Sequence, residues 1–207
     1  MGSDAIWQTD ALQNPHLSPH KMLGFDRVGT AGEEVDTTQD LHAGRPVESD
    51  RLPVSLFLKD ERCDLQFLPD YFSMTFPCVS QRLADFLQGF DIGDSRFLPI
   101  DIVQSDRRTV RPDRFYILNI VSQKSCWVRE DSYKLSSTWI AEDHWLFMFA
   151  PGDDLLAVRA SATEGADLWV DPVLQGAMFV SDRLYQAWKA TTMMPPMMEF
   201  YRCKLVD

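Results

Sequence analysis

The feature that most constrains this chain is an internal echo. Val79-Ser80-Gln81-Arg82-Leu83 recurs 101 residues later as Val180-Ser181-Asp182-Arg183-Leu184. In both copies an apolar approach leads into the serine and a helical pattern leaves it. The first helix is predicted over Gln81 to Gln88, burying Leu83, Phe86 and Leu87. The second is predicted over Asp182 to Ala190, burying Leu184, Ala187 and Trp188. A strand is expected after each, near Phe97 to Ile100 and near Glu199 to Cys203. A serine at such a junction serves as an N-cap, its hydroxyl accepting a free backbone N–H of the first turn. Asp182 adds negative charge at the positive end of its helix. Both serines are thereby assigned to the fold and not to chemistry.

Short apolar runs supply further strands: Val54 to Leu58, Asp64 to Leu68, Phe97 to Val103, Phe115 to Val121, His144 to Ala150, Leu155 to Ala160 and Asp167 to Val170. Residues 105–114 read as a polar hairpin tip, and Pro151-Gly152-Asp153-Asp154 as a turn. The fold class is therefore α+β: a mostly antiparallel sheet, a few short helices and an internal repeat of a strand-Ser-helix-strand unit. Residues 1–50 are polar and acidic, with three prolines and five glycines. They are expected to form a loose arm, with Ala5 to Leu12 as a helical turn. Residues 51–207 are expected to form the domain proper, whole or as two lobes, 51–125 and 126–207. At 207 residues, a core of that size needs neither disulfide nor metal.

Charge narrows the partners. The net charge is −11, and residues 1–50 alone hold nine acidic against three basic side chains. Such a field repels nucleic-acid phosphates and speeds encounter with a basic protein. No apolar run reaches membrane-spanning length; the strongest is Trp145 to Ala150. The amino terminus carries Asp4 and Asp10 and no apolar signal region, so a cytoplasmic location is expected. Cys63, Cys78, Cys126 and Cys203 have neither zinc nor redox spacing and read as buried free thiols.

Catalytic constellations are weak. No G-x-S-x-G elbow or phosphate-cradling glycine loop is present. Three of the four histidines, His16, His20 and His42, lie in the expected arm. His16 and His20 have metal-like spacing, but Pro15 and Pro19 oppose a helix there, so no metal and no cofactor is expected. Arg107, Arg108, Arg111 and Arg114 are interleaved with Asp106 and Asp113, as on a solvated hairpin tip. Candidate partner-binding residues are Asp153 and Asp154, on a turn expected to project, then Glu142 and Asp143, flanked by Trp139 and Trp145. The methionine-rich Met193-Met194-Pro195-Pro196-Met197-Met198 turn is either adaptable core filler or a pliable contact surface.

In order, Leu68-Pro69-Asp70-Tyr71-Phe72 before Phe76 to Leu83, then Phe97-Leu98-Pro99-Ile100, Phe115 to Val121, Leu168 to Pro172 and Met178 to Leu184 resemble a family of bacterial immunity proteins from polymorphic-toxin systems. That family is often encoded beside type VI secretion effectors. The resemblance spans roughly residues 50–205, and the Met-Pro turn departs from the family's glycine-containing approach to the last strand. It implies a non-catalytic antidote that binds one secreted toxin, with scaffold residues shared and loops supplying recognition. It fixes no toxin-contacting residue. The alternatives are an adaptor or structural subunit of a secretion apparatus, or a hydrolase with a dispersed carboxylate site.

Overall fold

The computed structural model describes all residues except 1–4, 13, 27, 61–67, 134–137, 142–143 and 147–151. Along the chain, β1 (Ile6–Thr9) and β2 (Leu23–Phe25) precede α1 (Ala31–His42) and β3 (Ser55–Leu58). Next come β4 (Tyr71–Ser73), β5 (Pro77–Ser80), α2 (Gln81–Leu87), β6 (Arg96–Val103) and β7 (Phe115–Asn119). There follow β8 (Thr138–Ala141), β9 (His144–Leu146), β10 (Ala157–Arg159), β11 (Leu168–Trp169) and β12 (Leu174–Gln175). The chain ends with β13 (Met178–Ser181), α3 (Asp182–Lys189), β14 (Tyr201–Arg202) and β15 (Lys204–Val206). The class is α+β with mainly antiparallel sheets. The predicted strand Asp64 to Leu68 and residues 147–150 of another lie largely outside the described residues.

Two sheets dominate. A six-stranded sheet runs β2-β3-β6-β7-β5-β4, antiparallel except where β3 meets β6. A four-stranded antiparallel sheet runs β11-β13-β1-β14. A central core joins them, with Val79, Leu83 and Leu118 from one side and Leu168, Val180, Leu184 and Trp188 from the other. Each sheet also has a second buried face. Cys78 and Ile117 meet Leu41 and Leu56 in one outer core, while Trp169 and Phe179 meet Ile6 and Val158 in another. Neighbouring residues of β5 and β13 thus face different cores, which is why both read as unbroken apolar runs.

The two serine junctions match in local geometry. Ser80 (φ −69°, ψ 163°) caps α2, and Ser181 (φ −65°, ψ 159°) caps α3. Each hydroxyl accepts the N–H of the leucine three residues on, at 3.2 Å. Each also donates at 2.5 Å to an aspartate just upstream in the fold, Ser80 to Asp70 and Ser181 to Asp167. Arg82 and Arg183 pair with the same two carboxylates. In both sheets the strand after the helix lies two places from the strand before it, as β5-β7-β6 and β13-β1-β14. A repeat of the whole unit is a proposal that these matched junctions favour. The helices bury Leu83, Ala84 and Leu87, and Leu184, Tyr185 and Trp188.

Residues 1–50 correct the expectation of a loose arm. Ile6–Thr9 is a strand and not a helical turn, and it sits between β13 and β14 inside the second sheet. The α1 helix carries a complete capping box, Thr30 with Glu33. Its buried side chains are Thr37, Leu41 and His42, too few apolar ones to show helical periodicity. After α1, Gly44 adopts φ +73°, and a Cβ there would come within 2.5 Å of Val170. Only glycine fits both the turn and that approach. Asn119 then holds the connection, accepting the Val47 N–H (2.8 Å) and donating to the Arg45 carbonyl (3.0 Å).

Candidate partner-binding surface

The capping serines and the three described cysteines are committed to structure. Each capping serine both donates and accepts, to a carboxylate and a backbone N–H. Burial works against the charge of Asp167, but bonds from Arg183, Ser181 and the Asp91 N–H outweigh it and hold its pKa below the ordinary carboxylate range. The thiols of Cys78, Cys126 and Cys203 are buried, and Cys63 lies outside the described residues. Burial pushes Cys126 up to about 12 and raises Cys78 and Cys203 well above the ordinary value, which suppresses the reactive thiolate. On the basic hairpin, Arg107 pairs with Asp26 at 3.0 Å and lies 3.8 Å over the Phe57 ring, and Arg111 pairs with Asp113 at 2.9 Å.

Among the described residues, the predicted recognition residues fall on two elements, the β8–β9 pair and the turn before β10. Trp139 and Trp145 are cross-strand partners in β8 and β9. Trp145 packs edge-on to Trp127 (6.0 Å), with the Arg129 guanidinium 3.9 Å over its ring. Its ring is thus engaged within the protein. Glu142 and Asp143 lie outside the described residues. Asp153 and Asp154 are exposed, yet they grip β14 instead of projecting from the sheet. The Asp154 N–H donates to the Arg202 carbonyl (2.7 Å), and the Arg202 N–H donates to Asp153 Oδ1 (2.8 Å). The Arg202 guanidinium makes a forked pair with Asp154, at 2.6 and 3.2 Å. Asp154 takes φ +62° to do so.

That grip ties the turn to β14, beside Tyr201, a juxtaposition invisible in sequence. Met193 and Met198 are buried in the central core, Met194 is half-buried, and Met197 is 53% exposed. The run is therefore core filler at Met193 and Met198 and exposed at Pro196 and Met197. Tyr185, Met194, Met198 and Phe200 line a groove of about 350 Å³, with Lys189, Glu199 and Tyr201 at its edges. Its aromatic wall is rigid: Trp7 stacks on Tyr185 at 3.9 Å, and Phe200 packs against Tyr185 (5.4 Å) and Trp188 (5.8 Å). The Tyr201 hydroxyl donates to Glu199. Burial, that bond, and the charges of Glu199, Asp10 and Asp153 push the Tyr201 phenol up to about 12. Three carboxylates therefore act on one ring at the groove's edge.

A second cleft, about 400 Å³, lies between α1 and the β4 end, lined by Asn14, His20, Thr38, His42, Ser73 and Thr75 among others. Thr75 takes φ +123°, a strained conformation for a β-branched residue. His42 Nε2 is buried with no hydrogen-bond partner among the described residues, and burial lowers its pKa to about 4. Sequence reading placed His42 in a loose arm and so missed it. The Thr30-x-x-Glu33 pattern was the signal that could have found the helix carrying it.

Among the described residues, no helix is long and apolar enough to cross a membrane, and no group of three or more His, Cys, Asp or Glu could hold a metal ion. Comparison with curated proteins finds no match. The Imm11 immunity protein family matches residues 13–204, and so takes in α1, both serine junctions and the methionine-rich turn. With that match over most of its length, the chain belongs to the immunity protein family Imm11.

Proposed function

We propose that this protein binds one cognate secreted bacterial toxin in the cytoplasm and neutralises it by occlusion, with no catalysis of its own. The observation that carries this reading is the family match over residues 13–204. Two properties of the chain support it. The net charge of −11 favours fast encounter with a basic protein. Ser80 and Ser181 are hydrogen-bonded into helix caps, and the thiols of Cys78, Cys126 and Cys203 are buried. Delivery of the toxin by a type VI apparatus is part of the same reading and follows from the family resemblance alone.

The test is stoichiometry. The toxin-domain protein encoded beside this chain is titrated with the purified protein while its toxic activity is followed. Occlusion gives protection that saturates at one equivalent and a one-to-one complex on size exclusion. Full protection by a few per cent of one equivalent would mean turnover, and the non-catalytic reading would fall.

A further inference from the structure

We infer that the cleft between α1 and the end of β4 receives an uncharged aromatic side chain of the toxin, a tryptophan or a tyrosine, whose N–H or O–H donates to His42 Nε2. This rests on the proposed function and names a contact that performs it.

The cleft holds a bare acceptor. His42 is the last residue of α1, lines the cleft and is only 8% exposed. A neutral imidazole has one N–H and one lone pair. The N–H is committed to the Leu12 carbonyl, and Nε2 has no partner among the described residues. Burial keeps the ring neutral down to about pH 4, so at neutral pH that nitrogen can only accept. Its polar neighbours have spent their donors. Ser73 Oγ donates to the Leu12 carbonyl at 3.0 Å, and Thr38 Oγ1 donates to the Glu34 carbonyl at 3.0 Å. An unpaired buried acceptor is costly, and a donor brought by a partner recovers that cost.

Charge and shape narrow the occupant. None of the described residues lining the cleft carries a carboxylate, an ammonium or a guanidinium. A lysine or arginine entering it would lose its hydration and gain no opposite charge. An uncharged donor escapes that cost. Leu12, Pro15 and Met74 supply apolar wall, and about 400 Å³ is ample for an indole or phenol ring. Tryptophan and tyrosine join a large apolar body to one polar donor, and interface energy concentrates on such residues. Because Nε2 is itself buried, entry needs a small movement, and the strained turn after β4 supplies it. Thr75 stands exposed on the lining at φ +123°, a conformation whose relaxation favours the opened cleft.

The experiment uses the full chain and the toxin-domain protein encoded beside it. Association and dissociation rates are measured for the wild type, Ser18→Trp, His42→Phe and a matched control, Ser161→Trp, on the exposed turn after β10. Ser18 lines the cleft, so an indole placed there fills the space that the partner's ring would take. Thermal unfolding confirms that each variant is folded. Ser18→Trp is expected to weaken binding about ten-fold or more. His42→Phe keeps a ring but no acceptor and is expected to speed dissociation about five-fold, the loss of one hydrogen bond. Ser161→Trp should leave both rates unchanged. In the wild type the His42 ring nitrogens are followed by NMR, with the toxin and separately with indole. The Nε2 resonance is expected to move upfield on toxin addition, as it does when a bare ring nitrogen accepts a hydrogen bond. Wild-type rates in both cleft variants would overturn the docking site and leave the toxin reading standing. A complex that leaves the Nε2 resonance in place would overturn the donor contact. A shift with indole and none with the toxin would overturn the toxin side chain in favour of a free small molecule. No complex with the wild-type protein would remove the underlying reading, and this site with it.

Discussion

Trp7 Nε1 donates to Asp182 Oδ1 at 2.8 Å, joining the amino-terminal strand to the first turn of α3 across 175 residues. The same indole stacks on Tyr185 one turn further along. The N-terminal segment is therefore the clasp of the second sheet: β1 lies between β13 and β14, and its tryptophan locks the helix that forms one wall of the groove.

The clasp should be measurable as a coupling. Trp7→Phe keeps a ring for Tyr185 but loses the hydrogen bond, and is expected to cost about 1 kcal/mol. Trp7→Ala loses the stack as well and should cost roughly 3 kcal/mol. Urea unfolding of Trp7→Phe, Asp182→Ala and the double variant should show the two losses to be non-additive by about 1 kcal/mol. Strict additivity would mean that the bond contributes nothing.

The two Asp-Ser-Arg arrangements should differ in strength. Asp167 also accepts the Asp91 N–H at 2.9 Å, tying the segment after α2 to the second sheet, and it is more buried than Asp70. Asp167→Ala is expected to cost roughly 1–3 kcal/mol by removing several part-buried hydrogen bonds at once, and Asp70→Ala clearly less. Ser181→Ala should cost about 1 kcal/mol and leave protection against the toxin intact at permissive temperature. Chemical denaturation orders the first two, and protection assays test the third; lost protection at unchanged stability would reassign Ser181 to function.

Stability should fall as pH drops from about 6.5 toward 4, and His42 is the cause. Its pKa is lowered in the folded state to about 4 by burial, so the unfolded chain takes up the proton first. The stability this carries is fully present above the unfolded pKa and lost as pH falls through that window, on the order of 3 kcal/mol. Asp10 acts in the opposite sense: burial raises its carboxyl, so the folded state gains as pH falls into the carboxylate range. Glu33 and Asp106, lowered by hydrogen bonds at Thr30 and Thr109, lose their contribution only near or below their ordinary values. Denaturation of wild type and His42→Phe between pH 4.5 and 7 should show the slope only in the wild type.

The buried thiols should be silent until the fold opens. In a Cys63→Ser background, Cys78, Cys126 and Cys203 are expected to react with a thiol reagent only through global or sub-global opening. Labelling that tracks denaturant concentration is the expected result. Fast labelling in native buffer would show that one of these pockets opens locally.

How much was legible in the sequence follows the range of each interaction. The serine junctions, α2, α3 and β3, β6 and β7 were legible because caps and apolar periodicity are local properties, complete within a dozen residues. The helix α1 was half legible: its Thr30-x-x-Glu33 box is local, but its single buried leucine gives no periodicity. The strand β1 was not, because four residues become a strand only when β13 and β14 supply partners from the far end of the chain. The candidate site was split in the same way. That Asp153 and Asp154 are exposed could be read from a Pro-Gly-Asp-Asp turn, and that the methionine run is a turn from its two prolines. That the aspartates grip Arg202 is a contact between segments nearly 50 residues apart. Pairing of that kind depends on how sheets and helices close around shared cores, and only the tertiary structure decides it.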